Sequence, residues 1–152
     1  MTDFSYLNVD NAYKLINQKV TKTPLVTNDY INNLLEAEIY FKLENLQNTG
    51  SFKLRGATHK ITKLIESVKN SGVVAYSSGN HAQAVAYASM INSISAKIIM
   101  PKTAPQIKIE NTKNYGAEVI LYDTYFQNRE EIGNEIQKRI IELLLNPMMM
   151  KI

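Results

Sequence analysis

Two short segments carry residue types able to do chemistry. The first, Asn48-Thr49-Gly50-Ser51-Phe52-Lys53-Leu54-Arg55-Gly56-Ala57, is a polar loop that runs into a helical pattern. Its spacing delivers Lys53 into the first helical turn, where the positive end of the helix dipole disfavours an ammonium. The local field and any burial both favour the neutral amine, the form that attacks an aldehyde carbon. The second segment, Tyr76-Ser77-Ser78-Gly79-Asn80-His81-Ala82, follows a strand pattern and opens an alanine-rich helix. Backbone N–H groups at such a helix start collect anions. Gly79 permits a tight turn there, while Ser78 and Asn80 add short hydrogen-bonding side chains. Residue type alone equally allows plainer readings, a solvent-facing lysine and a capping turn without a ligand.

The elements that must position these segments follow from periodicity. Residues 9–19 form an amphipathic helix pattern, with Tyr13, Ile16 and Val20 near one face. Pro24 biases Thr23 away from helix, so Thr23 to Val26 is expected to be extended. Asn28 can cap a helix ending at Leu35, and Glu38 to Glu44 has strand character. A helix is expected from Phe52 to about Val68. Strand and helix then alternate: strands at Val73–Tyr76, Lys97–Met100 and Glu118–Tyr122, helices at Asn80 to about Ile91 and Asn128 to about Leu145. Between them, Thr103 is the expected N-cap of a helix with Pro105 in its first turn and Gln106 completing a capping box. Gly116 stands where a left-handed C-terminal residue is wanted. This alternation predicts a three-layer α/β fold with a parallel sheet.

With these segments in place, the stretch IYFKLENLQNTGSFKLRGA followed by SSGNHAQAVAYA resembles the serine/threonine dehydratases and serine racemases of the fold-type II pyridoxal-phosphate (PLP) enzymes. The resemblance continues through MPKTAPQIKIENTKNYGAEVILY and spans roughly residues 7–140. It implies a tryptophan synthase β-like fold and a PLP cofactor. It also implies loss of the α-proton from L-serine or L-threonine, leading to dehydration with release of ammonia, or to racemisation. Carried onto this chain, Lys53 matches the lysine that holds PLP as a Schiff base and moves protons at the substrate α-carbon. Phe52 matches the aromatic residue beside the cofactor ring, and Asn80 the residue that hydrogen-bonds its 3-hydroxyl. Ser78, Gly79, Asn80 and His81 match the loop that holds the substrate carboxylate, and Ser78 also the opposite-face acid/base of racemases. At His81 the backbone is the expected participant. His59 reads as a surface or packing residue within a helix.

Composition bounds the alternatives. Hydrophobic residues make up 45% and charged residues 20%, and no apolar run approaches a membrane span, so a globular domain is expected. Cysteine is absent, which excludes thiol catalysis and cysteine metal sites and fits a cytoplasmic address, as does the lack of a signal-peptide pattern. The net charge of +3 comes from scattered lysines without a basic stripe, so no nucleic-acid partner is expected. No metal-spaced cluster stands out. The six glycines (Gly50, Gly56, Gly72, Gly79, Gly116 and Gly133) form no glycine-rich phosphate loop, an element the family carries further downstream. Residues 1–65 therefore match the start of the family's large domain, with apolar surface left unburied, and 66–146 match its small domain. The run Asn146-Pro147-Met148-Met149-Met150-Lys151-Ile152 is expected to be aberrant: its codons, regrouped, can spell Pro-Tyr-Asp-Asp-Glu-Asn, so a frameshift is the expectation for 147–152. A truncated fold-type II enzyme is thus the leading reading, with a noncatalytic pseudoenzyme or a degraded gene product as its rivals. The resemblance also implies homo-oligomers for full-length members.

Overall fold

The computed structural model describes residues 5–145. A three-stranded parallel sheet, ordered β3-β4-β5, forms the centre from Val73–Tyr76 (β3), Ala96–Pro101 (β4) and Glu118–Tyr122 (β5). Val73 pairs with Ala96, and Lys97 with Glu118. Parallel neighbours need crossover connections, and helices α5 (Asn80–Met90) and α6 (Gln106–Asn114) supply them. α5 buries Ala82, Ala84, Ala86 and Ala88 together with Ile98 and Met100 of β4 in one apolar cluster. Small side chains let this helix sit close to the strands. Helix α7 (Arg129–Leu145) packs against β3 and β4 and brings Gly133 near Ile99, whose side chain alternates with Ile98. The expected parallel α/β fold is present.

The N-terminal part is arranged differently. Helix α1 (Tyr6–Ile16) is followed by β1 (Leu25–Val26), α2 (Asp29–Leu35) and β2 (Phe41–Lys42), and the two strands pair only with each other, antiparallel. Asn28 caps α2 as expected, its side chain accepting the Ile31 N–H at 3.0 Å. A 3₁₀ turn at Glu44–Leu46 leads to α3 (Lys53–Lys63) and α4 (Ile65–Val68). α3 packs along α5 through Leu54, Ala57, Thr58 and Ile61, and α1 packs on α3.

Several expected boundaries are corrected. The first helix begins earlier and stops at Ile16, and Tyr13 is exposed while Ile16 and Val20 are buried. The Glu38–Glu44 strand shrinks to Phe41–Lys42, because its one partner is a two-residue strand. The helix expected through Val68 breaks at Leu64, where φ is −101° and ψ is 10°. The capping box at Thr103 does not form. Pro105 is itself the N-cap, with ψ 130°, so α6 starts two residues late and the Gln106 side chain donates to Glu110 at 3.0 Å instead. Gly116 does adopt the left-handed conformation, φ +79°. Its N–H bonds to the Lys113 carbonyl and that of Ala117 to the Thr112 carbonyl, the pairing of a Schellman ending. The expected aberrant tail, 147–152, lies outside the described residues.

Candidate functional site

Lys53 is the first residue of α3, and Phe52 precedes it as N-cap. The turn is prepared by Gly50, whose φ of +69° favours glycine, and by the Gly50 N–H bond to the Gln47 carbonyl at 2.7 Å. Below the turn a polar clamp holds the helix start. Both Glu44 carboxylate oxygens accept from Arg55, Oε2 from Nε at 2.9 Å and Oε1 from a terminal guanidinium nitrogen at 2.7 Å. Thr23 Oγ1 donates to Glu44 Oε1 at 2.6 Å, and Gln47 holds both the N–H and the carbonyl of Thr21. Hydrogen bonding from the Arg55 guanidinium lowers the Glu44 pKa despite burial, and the carboxylate in turn raises that of Arg55. The clamp places Lys53 two residues from a fixed point.

Lys53, Phe52 and His81 line one groove of about 510 Å³, walled by apolar residues of α3 and β3 such as Ala57, Ile61 and Val74. Lys53 Nζ lies 5.3 Å from the Phe52 ring centroid. Burial, and secondarily the Lys53 charge, lower the His81 pKa, which favours the neutral imidazole.

The Ser77-to-His81 turn lies at the carboxyl end of β3, the edge where open parallel sheets bind ligands. Gly79 is the N-cap of α5, and the first helical bond runs from Gln83 N–H to its carbonyl. The N–H groups of Asn80, His81 and Ala82 therefore have no intrahelical acceptor. A Cβ at Gly79 would meet nothing within 4 Å, so crowding does not explain the glycine. Ser78, Gly79 and Asn80 are not among the residues walling the Lys53 groove; of the expected carboxylate loop, only His81 joins Lys53 there. His59 is half-buried in α3, in keeping with a packing role.

Some residues beside the site carried no recognisable sequence signal. Gln83 is buried, donates from Nε2 to the Thr49 carbonyl at 3.4 Å and accepts from Asn111 at 3.3 Å, joining α5 to the loop before Lys53 and to α6. Lys108 of α6 donates to Asn80 Oδ1 at 2.8 Å. Glu44 and Arg55 were visible only as charges flanking the loop. No group of histidine, cysteine or carboxylate side chains able to hold a metal occurs among the described residues, and no helix there is long and apolar enough to cross a membrane.

A parallel α/β sheet whose carboxyl edge opens into a helix start is the arrangement at which open sheets bind small molecules, and here a lysine lines a groove beside it. The family model described as "Pyridoxal-phosphate dependent enzyme" matches residues 16–148, and the chain belongs to that family. Its sequence is 44% identical over 135 residues to the serine racemase of Schizosaccharomyces pombe, covering 89% of this chain and 42% of that protein. It is 43% identical over 132 residues to an L-threo-3-hydroxyaspartate ammonia-lyase of Saccharomyces cerevisiae, covering 87% of this chain and 40% of that one. The fold superposes on the crystal structure of Dictyostelium discoideum serine racemase with a TM-score of 0.82 at 40% identity, covering 88% of this chain and 43% of that one. The chain thus spans about two fifths of the length of these relatives.

The donor set fits part of the family's cofactor. A primary amine lines an apolar groove beside an aromatic ring, and a carboxamide and three free helix N–H groups lie at the neighbouring turn. These suit an aldehyde on an aromatic heterocycle. A glycine-rich cradle for a phosphate is not among the residues of this chain.

Proposed function

We propose that this chain is the lysine-bearing part of an enzyme that removes the α-proton of small β-hydroxy amino acids, in dehydration or racemisation of L-serine or L-threonine. The observation that carries this reading is the position of Lys53, held by the Glu44–Arg55 clamp at the rim of an apolar groove that it shares with Phe52 and His81. Bound there, pyridoxal phosphate supplies an aldehyde for the amine and a ring that takes up electron density from the α-carbon. Lys53 would hold that aldehyde through its amine and would serve as the group that carries the α-proton. Phe52 would flank the ring. The N–H groups at the start of α5, with Ser78, Gly79, Asn80 and His81, hold the substrate carboxylate, since a helix N-terminus favours an anion. His81 contributes its backbone while its imidazole stays neutral. The Ser78 hydroxyl serves the opposite face of the α-carbon, the position a racemase needs. Dehydration and racemisation share the first proton transfer, so both belong to one reading. In this reading 1–65 belong to a larger cofactor domain and 66–146 to a smaller one, and the exposed apolar residues of the N-terminal part fit that division.

The test is an absorbance titration of the purified chain with pyridoxal phosphate, repeated with Lys53→Ala. A visible band that saturates and vanishes in the variant is the expected result, with reductive trapping placing the label on Lys53. A spectrum identical in the two proteins overturns the reading.

A further inference from the structure

Asn80 has an amide, and an amide can face a ligand with either end. Its oxygen accepts and its nitrogen donates, so the two orientations prefer opposite partners. The neighbour that decides between them is Lys108, the third residue of α6, whose Nζ lies 2.8 Å from Asn80 Oδ1. An ammonium donates and never accepts, so the oxygen must turn toward Lys108 and the NH2 group away from it. No acceptor is bonded to Asn80 Nδ2 among the described residues, which leaves that group available to donate.

The placement of Lys108 is costly by itself. It lies in the first turn of α6, where the helix dipole disfavours a cation, and neither α5 nor α6 has an acidic residue in its first turn to offset it. Among the described residues Lys108 forms no ion pair, whereas Lys14, Lys69, Lys97 and Lys102 all do. Its polar partner outside its own helix is Asn80. The backbone carbonyl of Lys108 is bonded by Thr112 Oγ1 at 2.7 Å, which anchors the turn from which the side chain departs.

We infer that Lys108 is a positioning residue that locks the Asn80 amide with its NH2 group outward, so that Asn80 acts as a preset donor to an electron-rich oxygen of the bound ring. The inference rests on the cofactor reading above for the identity of that oxygen, but the locking itself is a property of the chain alone. A donor held by a cation is polarised by it, which strengthens its bond to an anionic oxygen more than to a neutral one.

The experiment uses the full chain in two readouts. The first is the side-chain amide resonance of Asn80 in a ¹H–¹⁵N spectrum without cofactor, assigned with Asn80→Asp. Lys108→Met should shift it, and Lys108→Arg, which keeps a donor, should bring it most of the way back. Backbone resonances away from α6 serve as the control for folding. An Asn80 amide unmoved by Lys108→Met overturns the inference. The second readout is half-saturation by pyridoxal phosphate, followed through the Lys53-dependent band. Loss of one charge-assisted bond predicts weakening of about tenfold in Lys108→Met. Partial recovery is expected in Lys108→Arg, and no further loss when Lys108→Met is added to Asn80→Ala. Equal losses in the two backgrounds would show that Lys108 acts independently of Asn80, which also overturns the inference. Should the chain show no Lys53-dependent band, the cofactor reading fails while the amide resonance still decides whether Lys108 locks Asn80.

Discussion

The stretch before Lys53 and the sheet after it are held by different forces. Between residues 73 and 122 the chain builds its own apolar interior: Ile98, Ile99 and Met100 are fully buried, and four alanines of α5 close over one face. Between residues 5 and 46 only Ile16, Val20 and Thr23 are buried, and Leu25, Tyr30, Leu34, Leu35 and Tyr40 are exposed. What ties this arm down is largely polar. Lys19 Nζ donates to Asn92 Oδ1 at 2.7 Å and to Thr62 Oγ1 at 3.2 Å, and Glu44 grips Arg55. Apolar burial is non-directional and defines a fold, whereas hydrogen bonds are directional and set an orientation. Lys53 stands at the border: its helix is packed by the first force and its first turn is aimed by the second.

That contrast can be broken most strongly in the sheet. Ile98→Ala removes fully buried methyl groups from a close-packed interior and should cost about 2–5 kcal/mol, read as a drop in the urea midpoint at unchanged slope. Glu44→Gln keeps the shape of the clamp but weakens its bidentate pairing with Arg55. A loss of about 1–3 kcal/mol is expected, and the Lys53-dependent absorption should fall further than in a core variant of equal stability.

The same carboxylate gives a pH test. The pKa of Glu44 is lowered in the folded chain, chiefly by the hydrogen bonds from Arg55, so the folded state binds its proton more weakly than the unfolded state. Its contribution is complete above the ordinary glutamate pKa and is lost as the pH falls through the lowered one. Denaturation midpoints measured down through the acid range should decline in the parent chain, with a shallower decline in Glu44→Gln. Equal slopes would show that Glu44 does not carry the effect. The smallest change is expected at Leu25→Ala, an exposed position on a two-residue strand, with a shift within about 0.5 kcal/mol. Hydrogen exchange should rank the regions in the same order, with the amides of Ile98 to Met100 slowest and those of Leu25 and Val26 among the fastest.

Legibility in the sequence followed the same division. Strands β3 to β5 and helix α5 lay where apolar runs and the alanine repeat placed them, because a buried element writes its burial into its own residues. The Asn28 cap and the left-handed Gly116 were legible for a local reason, since each satisfies backbone groups a few residues away. The Thr103 capping box failed because it depended on where the chain enters the helix, and the extended ψ of Pro105 moved that entry by two residues. The Glu38–Glu44 strand failed because strand length is set by the partner, here only Leu25–Val26.

The sequence by itself determined the alternation of strands and helices, the delivery of Lys53 to a helix start and the turn that opens α5 at Asn80, since all of these rest on residues within a few positions of one another. Only the tertiary structure decided that His81 shares a groove with Lys53 while Ser78 and Asn80 lie outside it, that Glu44 holds Arg55, and that Lys108 faces Asn80 across 28 positions. Those pairings join separate elements, and their distances follow from how the helices pack on the sheet, which no local pattern of residue types encodes.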